Sequence, residues 1–123
     1  MSYSRAVRVG LHVWVAGTTA TVNSEVQHPG DAAGQTRVAL GIIEAALREA
    51  GAELRHVVRT RLYVTDIGRW EEVGRVFGAV RPASSMVEVA GLIDPLHLVE
   101  IEAEAYIWEQ GTNGQPFIPS PLP

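Results

Sequence analysis

The chain has 123 residues with ten arginines, fourteen acidic residues and a formal net charge of −4. This length supports one domain with a hydrophobic core, and the negative balance argues against binding nucleic acid through a basic surface. Lysine and cysteine are both absent, which excludes Schiff-base chemistry, a phosphate-binding P-loop, disulfides and thiolate metal sites.

The N-terminal part predicts a β-hairpin followed by a loop. Arg5–Gly10 and His12–Gly17 are short, valine-rich segments separated by a Gly-Leu step, which is typical of two paired strands. Residues 18–29 are polar and contain Asn, Pro and Gly, so we expect a loop with one edge strand at most.

The strongest helical pattern follows from Asp31 to Ala50. Asp31 is a suitable N-cap, Leu40, Ile43 and Leu47 recur at helical spacing, and a glycine follows the last turn. A shorter helix is predicted at 68–77. Strands are predicted at 56–66, 85–91 and 98–107.

This order of elements, β-β-α-β-α-β-β, predicts an α+β sandwich with both helices on one face of a sheet. The last strand alternates strictly between apolar residues, which we expect to face the helices, and acidic ones. On the opposite face we expect the following residues: Trp14, Arg59, Arg61, Tyr63, Met86, Glu88, Leu98, Glu100, Glu102 and Glu104. Such a face is too apolar to remain exposed to solvent and too charged for a hydrophobic core, which favours packing of the sheets of neighbouring subunits against each other. Cross-strand Glu–Arg pairs can also hold the acidic residues without any ligand.

Few side chains indicate chemistry by themselves. The four histidines lack metal-ligand spacing, so no metal site is predicted. Glu100 opens the last strand directly after a loop, where a carboxylate can accept a proton or orient a water molecule. Glu102 and Glu104 lie deeper in the same row and are better explained as structural ion pairs.

The boundaries of the domain follow from composition. We expect a single domain over 1–108 and a Gly/Pro-rich tail over 109–123, which covers a cleft or packs on a neighbouring subunit. The N-terminal segment lacks an apolar signal region, and no run of residues is long enough to span a membrane. A cytoplasmic protein is therefore expected.

Six segments occur in one order across residues 3–107: "YSRAVRVG", "VAGTTA", "QTRVALGIIEAALREAGA", "VVRTRLYVTDIGRWEEV", "RPASSMVEVAGL" and "VEIEAEA". Together they resemble the Rid family, also called the YjgF or L-PSP endoribonuclease family. The resemblance implies a chorismate-mutase-like fold with one mixed sheet, and a homotrimer whose sheets form a central barrel. It also implies clefts between subunits where reactive enamines or imines, such as 2-aminoacrylate, are hydrolysed without a cofactor.

The resemblance also assigns roles to particular positions. Tyr3 matches the tyrosine of the family's "YSQAV" motif, and Glu100 matches a glutamate that holds water. Ser84 stands where active members have an arginine for the substrate carboxylate, and Met86 stands where a cysteine is common. The candidate substrate-binding residues are Tyr3, Thr18, Ser84, Ser85 and Met86.

The serine at position 84 puts the reaction in question. A guanidinium binds a carboxylate through two charge-assisted hydrogen bonds, and a hydroxyl cannot replace it. Arg81 and Arg61 are the candidates to bind the substrate carboxylate in place of the missing arginine. If neither does, we expect a less anionic ligand. Three hypotheses stay open: a divergent enamine or imine hydrolase, a non-enzymatic metabolite-sensing or partner-binding trimer, and an endoribonuclease, which the net charge disfavours.

Overall fold

A computed structural model describes residues 2–78, 80–109 and 114–119 of the chain. Its strands are β1 (Ala6–Val9), β2 (His12–Thr18), β3 (Thr21–Val22), β4 (Glu25–Val26), β5 (Val57–Val64), β6 (Ala83–Glu88) and β7 (Val99–Tyr106). Its α-helices are α1 (Ala32–Glu49) and α2 (Trp70–Arg75), and 3-10 helices occupy Leu54–His56 and Ile67–Arg69.

Five strands form one mixed sheet in the order β1-β2-β7-β5-β6. Every neighbouring pair is antiparallel except β5 and β6, which are parallel and connected through α2. Helix α1 contacts β2, β7 and α2. The α+β fold with two helices packed on a mixed sheet is therefore confirmed, and β1 and β6 form its two edges.

Helix α1 begins and ends where its sequence predicts. The Asp31 carboxylate accepts a hydrogen bond from the Gly34 N–H at 2.9 Å, which satisfies one of the free donors of the first turn. Ala39, Ile43 and Leu47 are fully buried against the sheet. The spacing of the apolar residues thus positions the helix over the central strands.

The predicted loop at 18–29 contains more structure than expected. Strands β3 and β4 pair as a small antiparallel hairpin. Its turn residues, Asn23 and Ser24, have φ angles of 52° and 67°. Two successive residues with positive φ match the twist of a tight hairpin, which the sequence prediction missed because neither is glycine.

The central strand β7 separates the two faces of the sheet. Val99, Ile101, Ala103 and Ala105 are buried on the helix side. The intervening glutamates lie on the opposite face, which we call the outer face, as the alternation predicts.

The predicted placement of Met86 and Glu88 on the outer face is wrong. Met86 pairs with Leu62 and Glu88 pairs with Val64, both of which are buried on the helix side. Met86 packs against the core, and the Glu88 carboxylate accepts a hydrogen bond from the Ile67 N–H at 3.0 Å. Paired residues of parallel strands share a face, so β5 determines which residues of β6 turn inward.

A buried glutamine holds the connection that leads into β7. The Gln35 amide nitrogen donates to the Leu96 carbonyl at 2.9 Å, and its amide oxygen accepts from the Leu98 N–H at 2.8 Å. Gln35 has no exposed surface. Helix α1 therefore fixes the backbone two residues before Glu100.

Trp108 lies against the residues that precede β5. The Arg55 guanidinium lies 4.8 Å from the centre of its ring, and the His56 Nε2 atom lies 2.9 Å from its carbonyl oxygen. Residues 110–113 and 120–123 of the predicted tail lie outside the described residues, so the boundary at 108 stays a prediction. Within the described ranges, no helix combines the length and apolar character needed to cross a bilayer.

Replacing Gln35 with leucine should lower the free energy of unfolding by about 2–4 kcal/mol, because the Leu98 N–H and the Leu96 carbonyl lose their buried partner. Urea unfolding followed by circular dichroism measures this change. Gln27→Leu is the control, since its amide makes one exposed hydrogen bond to the Glu25 carbonyl, and it should change stability by less than about 0.5 kcal/mol. Equal losses in both variants would contradict the role of Gln35.

Candidate functional site

The residues singled out from the sequence lie in two separate groups. Tyr3, Thr18 and Glu100 belong to the part of the sheet formed by β1, β2 and β7, whereas Ser84, Ser85 and Met86 lie on the opposite edge strand, β6. Three strand spacings separate β2 from β6, about 14 Å in total. A single subunit therefore does not bring the two groups together.

Glu100 lies against the backbone of Gly17. A β-carbon on Gly17 would stand 2.8 Å from the Glu100 Oε2 atom, so the carboxylate occupies space that only glycine leaves open. The pairing of β2 with β7 is irregular between Val15 and Thr18, which brings Gly17 to this position. No hydrogen bond or ion pair to the Glu100 carboxylate occurs within residues 2–78, 80–109 and 114–119, which leaves it available for a ligand or water.

Arg5 joins the same group, although the sequence analysis did not select it. Its Nη1 atom donates to the Gly17 carbonyl and to Thr18 Oγ1, both at 2.9 Å, and its Nη2 atom donates to the Tyr3 hydroxyl at 3.3 Å. The sequence does distinguish this position, because "YSRAV" in this chain has arginine where the family motif "YSQAV" has glutamine. We call Tyr3, Arg5, Gly17, Thr18 and Glu100 the Gly17 cluster.

The other two glutamates of β7 form internal pairs on the outer face. Arg61 Nη1 donates to Glu104 Oε1 at 2.9 Å, and the Tyr63 hydroxyl donates to Glu102. The hydrogen bond from Arg61 lowers the pKa of Glu104, and the hydrogen bond to Glu102 raises the pKa of Tyr63. These pairs border a depression of about 260 Å³. Arg61 is thus engaged by Glu104.

The hydroxyls on β6 are also engaged. Ser84 Oγ lies 2.5 Å from Thr60 Oγ1, and Ser85 Oγ accepts from Arg59 Nη2 at 2.8 Å. Arg81 precedes this strand, and its side chain is exposed. The roles of the β6 residues and of Arg81 in ligand binding stay predictions, which require a surface contributed from outside this subunit.

Two of the four histidines have structural partners in the interior. His56 Nδ1 accepts from the Glu53 N–H at 3.0 Å, and His97 Nε2 lies 2.7 Å from Thr21 Oγ1. Among the residues that the structure describes, no group of three or more His, Asp or Glu side chains is placed to hold a metal ion. The expectation that the histidines are not metal ligands stays a prediction.

Comparison with known proteins places the chain in a family. Residues 1–107 match the family model described as Endoribonuclease L-PSP. The chain belongs to this family. The resemblance to Rid proteins is thereby confirmed, and the chain is also 33% identical to the 3-aminoacrylate deaminase RutC of Acinetobacter baylyi over 85% of its own length and 86% of that protein.

Solved structures of Rid-family proteins have the same fold. Rv2704 of Mycobacterium tuberculosis, described as a member of the YjgF/YER057c/UK114 family, is 58% identical with a TM-score of 0.74, covering 85% of this chain and 86% of that one. RidA from an Antarctic Psychrobacter is 30% identical with a TM-score of 0.78, covering 87% and 89%.

The pair between Arg61 and Glu104 makes stability depend on pH. Because the folded state lowers the pKa of Glu104 below its ordinary value of 4.5, its stabilising effect is full above that value and is lost progressively as the pH falls from there through the lowered pKa. Arg61→Met should therefore destabilise the protein at pH 6 and have a smaller effect near pH 3. Urea unfolding across this range measures the difference.

Arg75→Met is the matched control for this measurement. Arg75 pairs with Glu71 on the exposed surface of α2, where an ion pair contributes little. Its effect on stability should be small throughout the range. A cost of Arg61→Met that does not change between pH 6 and pH 3 would contradict the proposed linkage.

Proposed function

We propose that this protein is a homotrimer that hydrolyses small enamines or imines in clefts between its subunits. The observation that carries the proposal is the unpaired Glu100 carboxylate, which lies against Gly17 beside Arg5 and Thr18. A relative named 3-aminoacrylate deaminase supports this reaction class, since its substrate is an enamine.

The outer face supports the trimeric assembly. Apolar side chains remain exposed there in the single subunit, and Val7, Trp14, Val87 and Tyr106 each retain 41–50% of their surface. A patch of this kind is typical of a subunit interface. Packing the sheets of three copies together covers these residues and lets the β6 edge of one subunit meet the Gly17 cluster of the next.

The chemistry requires a base and a water molecule. An enamine first takes a proton from solvent on carbon to become the iminium ion, and water then adds to the C=N carbon while Glu100 accepts one of its protons, which gives a neutral carbinolamine. Glu100 returns that proton to nitrogen, the C–N bond breaks to release ammonia, and the hydroxyl proton passes to solvent, which leaves a carbonyl. The Tyr3 hydroxyl, within hydrogen-bond distance of Arg5, is placed to orient the substrate.

Two other functions remain as hypotheses. A non-enzymatic trimer would bind a metabolite in the same cleft, and ligand-dependent stabilisation without turnover would favour it. An endoribonuclease, the activity in the family's name, needs phosphate neutralisation, and the net charge of −4 opposes it.

Glu100→Gln should reduce enamine hydrolysis about a hundredfold or more, because the amide cannot accept the proton from water. The assay follows 2-aminoacrylate, generated enzymatically in the cuvette, and measures the acceleration of pyruvate release over the uncatalysed rate. Full activity of Glu100→Gln, or no acceleration by the wild-type protein, would refute the proposed reaction.

Gly17→Ala tests the same site without changing the carboxylate. Its new methyl group would displace the flexible end of Glu100, so activity should fall while the free energy of unfolding changes by about 1 kcal/mol or less. The matched control is Gly41→Ala, since a β-carbon at Gly41 meets no atom within 4 Å. This control should keep full activity.

Trp14→Glu should dissociate the trimer, because it places a charge in the exposed apolar patch that the assembly would bury. Light scattering coupled to size exclusion should show three chains for the wild-type protein and one for the variant. Trp70→Glu, which changes an exposed tryptophan of α2, should remain trimeric. A wild-type protein that elutes as a single chain would contradict the assembly.

A further inference from the structure

The guanidinium of Arg5 is held in one orientation by the backbone and by a buried side chain. Both N–H groups of Nη1 have acceptors, namely the Gly17 carbonyl and Thr18 Oγ1. Thr18 is 1% exposed, and its hydroxyl in turn donates to the Ala16 carbonyl at 2.8 Å. The orientation of this arginine is therefore set before any ligand arrives, which reduces the entropy lost on binding.

Two N–H donors of the same guanidinium remain open. Of the five N–H donors of an arginine, Nη1 uses two and Nη2 uses one, toward Tyr3. The Nε donor and the second Nη2 donor have no acceptor among the described residues. These two nitrogens share the edge through which arginine binds a carboxylate with two parallel hydrogen bonds.

The charge of Arg5 is also uncompensated within the part of the chain that the structure describes. Arg61 and Arg69 bind Glu104 and Glu72 at 2.9 and 2.8 Å, whereas Arg5 forms no such ion pair there. Glu100 contacts the same glycine whose carbonyl binds Arg5. A ligand with one negative end therefore has a single favourable orientation, with its anion at Arg5 and its other end at Glu100.

We propose that Arg5 binds the substrate carboxylate and replaces the arginine whose position is Ser84 in this chain. This inference rests on the proposed function and deepens it, because it restores a carboxylate-bearing enamine or imine as the substrate class. It would replace the expectation of a less anionic ligand, which considered only Arg81 and Arg61 as available arginines. One guanidinium beside a carboxylate favours a monoanion over a phosphate dianion.

Binding of pyruvate tests this role without requiring turnover. Isothermal titration should show that Arg5→Gln, which restores the residue of the family motif, weakens pyruvate binding about tenfold to a hundredfold. Arg5→Lys keeps the charge but loses the two-nitrogen edge, so its affinity should fall between the two. Binding of the neutral analogue pyruvamide should be the same in all three proteins.

Arg8→Gln is the matched control, because Arg8 is an exposed arginine of β1, three residues after Arg5, whose contacts are to the Gly10 and Ala50 carbonyls. It should bind pyruvate like the wild-type protein. Unchanged pyruvate affinity in Arg5→Gln, or no pyruvate binding by the wild-type protein at tens of millimolar, would overturn the role of Arg5. Phosphate binding that depends on Arg5 in the absence of pyruvate binding would overturn it as well.

Different results would refute the proposed hydrolysis and the proposed role of Arg5. Pyruvate binding that depends on Arg5, in a protein without turnover, would refute hydrolysis and keep Arg5 as the anion-binding residue. Turnover that depends on Glu100, with KM unchanged in Arg5→Gln, would keep hydrolysis and refute the role of Arg5.

Discussion

The rest of the structure depends on the antiparallel pairing of β7 with β2 on one side and β5 on the other. This pairing buries every second residue of β7 beneath α1 and turns the intervening glutamates to the outer face. Because the strand is central, its register also determines which residues of both neighbours meet those glutamates. The positions of Arg61, Tyr63 and Gly17 relative to the acidic row all follow from it.

Three glutamates in one row have different environments for this reason. Glu102 and Glu104 accept hydrogen bonds from a phenol and a guanidinium, both supplied by β5 from diagonal positions. Glu100 lies where the pairing with β2 becomes irregular, and the neighbouring residue is a glycine without a side chain. A carboxylate that lies against a glycine and has no hydrogen-bonding partner among the described residues is suited to act on a ligand, whereas the paired ones stabilise the sheet.

The edge strand β6 shows where a sequence pattern does not predict which residues face the core. Strand β7 has a strict alternation, and its faces are predicted correctly. Strand β6 reads "ASSMVE", with small, polar and apolar residues on both faces, so its alternation does not define an inward side. The parallel register with β5 decides it and turns Met86 toward the core. Parallel register depends on the connection through α2, which no local pattern in β6 encodes.

The sequence by itself determined the α+β fold, the bounds of α1 within a residue and the family, and it identified Glu100 as a candidate site residue. These features could be predicted because hydrophobic periodicity, helix capping and ordered motifs are local properties. The tertiary structure alone decided that Arg5 belongs to the site. Its Nη1 atom reaches residues 12 and 13 positions away, and such contacts exist only after β1 and β2 have paired. Ser84 marks where the expected arginine is absent, and only the folded sheet shows that the Arg5 guanidinium and the Glu100 carboxylate meet the same glycine, Gly17.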